Sequence, residues 1–251
     1  MPDTNCALVV LPDAFELGLG EDVLRWLRAR VPVLSTRWVA PFDRANVEML
    51  YPGTGAWNAG WEIKLALLAW GPSMLVEVAA ESWPALLAVK GPSSPWVAAP
   101  DTLRGDLDAI GTALALVHAA DTVDAAQADL QRLGARRAEG CPRSSGIGAR
   151  SFPTALAFAL AGLGAPSERV LVAGGAARGP ERLAALQQAL DAVAREEPGC
   201  ILADWRSWGQ HTAAEVRSHL AARGTQLDPW SDLVLSAGVH FFPTERRHAS
   251  T

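Results

Sequence analysis

Two short segments decide how this sequence is interpreted: Thr102-Leu103-Arg104-Gly105-Asp106 and Leu116-Val117-His118-Ala119-Ala120-Asp121. The histidine of the second segment ends an apolar run of strand length over residues 112–118, and the carboxylate Asp129 follows it eleven residues later. A lone histidine at the end of an apolar strand is more often a structural residue than a reactive one. The ordered set of an Arg-Gly-Asp turn, a histidine and a later carboxylate favours a chemical role here.

These segments resemble the active-site motifs of nucleoside diphosphate kinases. That family carries a Thr-(Ile/Leu)-Arg-Gly-Asp segment and then Asn-x-x-His-(Gly/Ala)-Ser-Asp, whose histidine takes the phosphoryl group. A glutamate further along the chain orients that histidine. Arg104 and His118 match the two motifs in this sequence, and Asp129 stands where the glutamate would be. The resemblance covers residues 6–133, about half of the chain.

The resemblance implies a phosphate-binding site around the histidine. His118 would be the nucleophile, and Asp129 would hold its ring although Asp is one methylene shorter than Glu. Tyr51, Ser93 and Arg104 match family residues that contact the phosphates. The implied ligands are ATP or another nucleotide together with Mg²⁺, and the implied assembly is a homo-oligomer.

Three positions depart from the family pattern at this site. Leu11 stands where the family has a lysine, Leu87 where it has an arginine, and Ala115 where it has an asparagine. Losing one preorganised donor to a transition-state oxygen typically costs about 3–4 kcal/mol, or roughly 10²–10³ in rate. Lys90 lies three residues after Leu87, so on a helix it shares that face and can replace one lost charge, but not both.

The leading hypothesis is a divergent phosphotransferase that works through a phosphohistidine at His118 on a nucleotide or nucleotide-like substrate. The lost cations favour a different class of function, a nucleotide-binding or scaffolding pseudoenzyme that keeps the pocket without catalysis. A third alternative is a pocket lined by Leu11 and Leu87 and repurposed for a substrate less anionic than a triphosphate.

The predicted elements of the first half follow the order of an α+β sandwich. Apolar runs predict strands over 6–11, 33–39, 74–79 and 112–118. Helical spacing predicts helices over 20–30, 44–51, 57–70, 83–89 and 121–133. We therefore expect a ferredoxin-like βαββαβ sandwich of the nucleoside diphosphate kinase type over residues 1–134. A polar, Gly-rich connector over 135–151 marks a domain boundary.

A second, smaller α/β region is predicted over residues 152–251. The pattern predicts helices over 153–163, 180–196 and 212–223, and strands over 169–173, 200–205 and 232–242. This alternation repeats the order of the first half, so a decayed internal repeat is an alternative interpretation. No motif in this region assigns it a role.

Composition narrows the class of protein. The 251-residue chain is long enough to bury a sizeable core, and its net charge of −5 argues against a nucleic-acid partner. Three dispersed cysteines without metal-ligand spacing indicate a reduced setting and no dedicated metal site. The N-terminus lacks the basic region of a signal peptide, and apolar stretches such as 152–165 are too short to span a bilayer. We expect a cytoplasmic protein without a membrane partner.

Overall fold

A four-stranded antiparallel sheet forms the centre of the first half of the chain. The computed structural model describes residues 5–52, 59–107, 109–136, 151–177 and 179–249. Its strands are β1 (Asn5–Val10), β2 (Val33–Val39), β3 (Ser73–Ala79) and β4 (Val117–Ala119). They lie in the order β2-β3-β1-β4, so β1 pairs with both β3 and β4. The predicted α+β class and its sheet are confirmed, and we call residues 5–136 the sheet half.

The helices of the sheet half follow the sequence prediction closely. They are α1 (Pro12–Glu16), α2 (Gly20–Arg28), α3 (Arg44–Leu50), α4 (Ala59–Ala69), α5 (Trp83–Lys90), α6 (Leu103–Asp106) and α7 (Val123–Gly134). Side-chain oxygens of Asp43 and Thr122 accept backbone N–H groups at the starts of α3 and α7, which are typical N-caps. The predicted Arg-Gly-Asp turn is the short helix α6, capped in the same way by Thr102.

Both faces of β1 are buried, which explains its unbroken apolar sequence. Leu8 and Val10 face a core formed with α2 and α5, whereas Ala7 and Val9 face a second core formed with α3 and α4. Val9 pairs with His118 across the β1–β4 ladder, and directly opposed residues point to the same face of a sheet. The register therefore directs His118 toward α3 and α4.

The fourth strand is shorter than the sequence predicts. Residues 112–116 lie outside β4, and Leu116 has a φ of 65°, in the left-handed region that residues with a Cβ rarely adopt. The Leu116 N–H donates to the Asp13 carboxylate at 2.9 Å, and the Leu11 N–H donates to the Leu116 carbonyl at 2.9 Å. These two hydrogen bonds hold the strained backbone immediately before the strand that carries His118.

Residues 151–249 form a helical region, and the prediction of a second α/β region is wrong. The helices are α8 (Phe152–Ala159), α9 (Ala165–Ala176), α10 (Gly179–Glu196), α11 (Ala213–Ala222) and α12 (Pro229–Ala249). The predicted strands over 169–173 and 232–242 lie inside α9 and α12, and residues 200–205 form turns. A short apolar run has the same appearance in a buried strand and in a buried helix. Without these strands the helical region does not repeat the element order of the first half, so the interpretation as a decayed internal repeat is not supported.

The helical region shares a hydrophobic core with the sheet half. Phe152, Trp230 and Phe242 belong to one buried cluster with Ile63 of α4 and Leu114 of the segment before β4. The predicted connector over 135–151 lies mostly outside the described residues, at 137–150. The two segments of sequence are therefore joined by side-chain packing as well as by the chain.

Two global properties complete the description. No helix in the described ranges combines the length and the hydrophobicity needed to cross a membrane. Cys6 and Cys200 are buried free thiols.

Candidate active site

His118 lies in a buried polar cluster beneath β4. Its Nε2 atom is 3.3 Å from Oδ2 of Asp129, and the two side chains are 9% and 5% exposed. Asp129 lies on the inward face of α7 between Ala126 and Leu133. A carboxylate that contacts one ring nitrogen fixes both the tautomer and the orientation of the ring. The structure thus brings the predicted pair together, with Nε2 rather than Nδ1 facing the carboxylate.

Tyr51 packs edge-on against the histidine. It follows α3, and its ring centroid is 4.8 Å from that of His118 at an interplanar angle of 67°. Burial raises the pKa of the Tyr51 phenol above its usual value. The hydroxyl therefore keeps its proton at neutral pH and can donate a hydrogen bond to an anion.

Arg104 joins the histidine strand to the loop that follows α5. Its Nε and Nη2 atoms donate to the carbonyls of Ala115 and Val117 at 3.2 and 2.9 Å. Its Nη1 atom donates to the carbonyls of Gly91 and Pro92 at 3.1 and 2.8 Å. These four bonds occupy four of the five guanidinium N–H groups, so the predicted phosphate contact of Arg104 has one N–H group left.

The other predicted phosphate-binding residues lie at a cavity whose lining does not include His118, Asp129 or Tyr51. The cavity has a volume of about 450 Å³, and its lining includes Leu87, Lys90, Ser93, Thr102 and Asp121. Lys90 Nζ is 3.4 Å from the carbonyl of Ala119, next to His118 in the sequence. Burial and the nearby charge of Arg104 lower the pKa of the Lys90 ammonium. Leu87 and Lys90 therefore share a cavity, as their helical spacing predicts.

The other two altered positions, Leu11 and Ala115, are buried in the protein. Leu11 is 3% exposed and belongs to the core between the sheet, α3 and α4. Ala115 is buried, and its carbonyl binds Arg104. Leu11 does not line the cavity that contains Leu87. The two leucines that the third alternative assigns to one pocket pack against cores on opposite faces of the sheet.

Two buried charged residues of the site escape the motif-based prediction. Burial raises the pKa of the Asp13 carboxyl to about 6. Lys64, on α4, is 8% exposed, and its Nζ atom lies 3.5 Å from the centroid of the Tyr51 ring. Asp13 has a local signal, because it follows a strand in Leu-Pro-Asp. Lys64 is the one basic residue of the apolar helix α4, and no local motif places it at the site.

Comparison with solved structures finds similarity to nucleoside diphosphate kinases over about half of the chain, at low sequence identity. The kinase from Pyrobaculum aerophilum is 20% identical, with a TM-score of 0.44 over 52% of this chain and 94% of that one. The Aquifex aeolicus enzyme is 19% identical, with a TM-score of 0.43 over 51% and 92%. The Encephalitozoon cuniculi enzyme is 18% identical, with a TM-score of 0.46 over 57% and 96%. No protein-family model and no curated protein matches the sequence.

Proposed function

We propose that the chain is a divergent phosphotransferase that forms a phosphohistidine at His118 and acts on a nucleotide or nucleotide-like substrate. The supporting observation is the buried contact of 3.3 Å between His118 Nε2 and Asp129 Oδ2. The carboxylate holds the ring proton on Nε2, so Nδ1 presents its lone pair to phosphorus. A bond then forms between Nδ1 and phosphorus as the bond to the leaving oxygen breaks, and the nucleoside diphosphate departs.

The surrounding donors have separate roles in this proposal. The protonated Tyr51 hydroxyl, beside the His118 ring, would donate to an oxygen of the transferring group. Lys90 and Ser93, at the neighbouring cavity, would bind the phosphates that stay with the nucleotide. Arg104 would hold the loop and the strand in register through its four carbonyl bonds. A diphosphate acceptor returns the histidine to its free form by the reverse step.

A magnesium ion bound with the nucleotide fits the oxygen donors at the cavity. Mg²⁺ keeps several waters and commonly binds through one or two carboxylates together with substrate phosphates. Asp121 lines the cavity and would hold the ion, which neutralises charge on the phosphates when bound. In the described ranges, no group of three or more His, Cys, Asp or Glu side chains is arranged as a metal site. Phosphates and water would therefore supply the other ligands.

A nucleotide-binding pseudoenzyme is the second candidate, and one observation favours it. Four N–H groups of Arg104 donate to backbone carbonyls, so Arg104 has fewer donors left for phosphate oxygens than a free guanidinium has. Such a protein would bind nucleotide at the cavity without transferring a phosphoryl group.

Incubation of the purified protein with γ-labelled ATP and Mg²⁺ separates the two candidates. We expect acid-labile, base-stable label on His118 by mass spectrometry. His118→Ala should carry no label, whereas the control His211→Ala, outside this site, should label normally. Absence of label in the unaltered protein, with ATP still raising the melting temperature, would support the pseudoenzyme. Undiminished label in a folded His118→Ala would overturn the phosphohistidine.

A further inference from the structure

Both lysines of the chain lie beside the proposed phosphohistidine site. The 22 basic residues contain only two lysines, Lys64 and Lys90, and the others are arginines. The positive charge of Arg104 adds to burial in lowering the pKa of each lysine. An ammonium is a compact charge that responds to burial, whereas a guanidinium stays protonated. The general preference for arginine makes these two lysines distinctive.

Lys64 reaches the site from the side opposite the cavity. Its Nζ atom lies 3.5 Å from the centroid of the Tyr51 ring, and that ring lies 4.8 Å from the ring of His118. The ammonium, the phenol and the imidazole therefore form one continuous row of contacts. Lys90 approaches from α5 instead, with its Nζ near the Ala119 carbonyl. The two lysines thus reach the histidine from α4 and from α5.

Helix α4 is held in place on both sides of Lys64. Ile63 and Leu67 are buried in the core shared with the helical region, and Trp61 and Leu68 are buried in the core beneath the sheet. With apolar contacts on two faces, α4 holds the Lys64 ammonium against the ring of Tyr51. The position of this ammonium is therefore set by packing.

The electrostatics of this arrangement suit an anion. Burial and the positive charge of Arg104 both act against the charged form of Lys64. Like charges in a buried site are destabilising, and perturbed groups of this kind concentrate where function requires them. A bound anion favours the charged form of each cation near it, so such an anion is attracted more strongly than by a neutral site.

We propose that Lys64 supplies the cation that Leu11 lacks, and that its ammonium binds the oxygens of the phosphoryl group transferred to Nδ1 of His118. This inference rests on the proposed function. It also assigns α4 a role in the site that the family motifs do not contain.

Variants at Lys64 test the inference. Lys64→Met keeps the length of the side chain and removes a buried charge, so we expect a melting temperature no lower than that of the unaltered protein. We expect labelling of His118 to slow by about 10²–10³ because one donor to the transferring oxygens is lost. Lys64→Arg should recover part of the rate. The control Arg25→Met, which removes an exposed charge on α2, should label at the normal rate.

The pH profile is a readout that a purely structural role of Lys64 would not produce. Burial and Arg104 lower the pKa of Lys64 to about 8, so binding of inorganic triphosphate should weaken as the pH rises through that value. The charged groups near this ammonium are Arg104 and, across Tyr51, Asp13 and Asp129. In Lys64→Arg the inflection should vanish. An unchanged inflection in Lys64→Arg would assign it to another group, such as Lys90, and overturn the inference.

The remaining outcomes separate the two proposals. If the unaltered protein labels His118 and Lys64→Met labels at the same rate, the inference fails and the proposed function stands. If there is no label but calorimetry shows triphosphate binding that Lys64→Met weakens at least tenfold, Lys64 binds phosphate and the transfer step fails. If neither label nor triphosphate binding is found, both proposals fail.

Discussion

The sheet half and the helical region bury different kinds of side chain. The sheet half buries five ionisable residues that converge on one site: Asp13, Lys64, Arg104, His118 and Asp129. Among the described residues of the helical region, Arg182 is the one charged residue that is buried. The core there is made of aliphatic and aromatic groups such as Trp208 and Phe242.

The two kinds of buried side chain have opposite effects on stability. Burial raises the pKa of Asp13 and lowers that of Lys64, so it disfavours the charged form of each and reduces the stability of the sheet half. The apolar helical region packs on α4, the helix that carries Lys64, and adds buried hydrophobic surface to it. We interpret the helical region as support for a costly site.

The largest effect is expected from Phe242→Ala in the helical region. Phe242 is 1% exposed, and its ring lies 5.7 Å from Trp96 and 5.0 Å from Trp208. Truncating such a side chain typically costs about 3–5 kcal/mol of unfolding free energy. Urea unfolding followed by tryptophan fluorescence measures this loss. The control is Phe158→Ala, because Phe158 is 40% exposed and its truncation should cost about 0.5 kcal/mol or less. Because the two regions share a core, we expect a single unfolding transition that includes the sheet half. A separate transition of the sheet half at an unchanged urea concentration would contradict the comparison.

Asp13→Asn tests the cost of a buried charge in the sheet half. Burial raises the pKa of Asp13 to about 6, so the folded protein binds this proton more tightly than the unfolded chain does. The stability of the folded state therefore falls as the pH rises from about 4 to 6, by roughly 3 kcal/mol, and stays lower above that range. The neutral asparagine can still accept the Leu116 N–H, so the variant should be more stable than the unaltered protein at pH 7.

Urea unfolding at pH 4 and at pH 7 measures this gain. It should be large at pH 7 and nearly absent at pH 4. The control Asp204→Asn, on the exposed surface of the helical region, should show no such gain. Equal stability of Asp13→Asn and the unaltered protein at pH 7 would remove Asp13 from the list of costly charges.

A smaller effect is expected from Gly105→Ala, which tests whether the close packing of α6 holds Arg104 in place. A Cβ at Gly105 would lie 2.2 Å from the carbonyl oxygen of Ala99, so the backbone must shift. Overpacking of this kind costs about 1–3 kcal/mol. Thermal unfolding measures it, with Gly71→Ala as the control because no atom lies within 4 Å of the added methyl group. A neutral Gly105→Ala would show that α6 tolerates movement.

The sequence predicts the sheet half well because its signals are local. The apolar run of β1 is long enough for a strand and the caps of α3 and α7 mark real helix starts. β4 is shorter than predicted since Leu116 bonds to Asp13, a residue 103 positions away. The apolar run over 232–242 is longer than an ordinary strand, and this length is the signal in the sequence for the helix α12.

The site was predictable in part for the same reason. His118, Asp129 and Tyr51 follow from motif order, and the structure places their side chains together. Lys64 does not follow from local sequence, because the packing of α4 between two cores brings it to Tyr51. The bonds of Arg104 to four carbonyls likewise depend on tertiary contacts between three segments of the chain.

A chase of phosphorylated protein tests the central claim most directly. The protein is labelled with γ-labelled ATP and Mg²⁺, freed of nucleotide, and mixed with an unlabelled nucleoside diphosphate. We predict that the label leaves His118 and appears in a nucleoside triphosphate, more slowly in Lys64→Met. Label that stays on the protein, or that leaves as inorganic phosphate at a rate independent of the diphosphate, would contradict a phosphotransferase site in the sheet half.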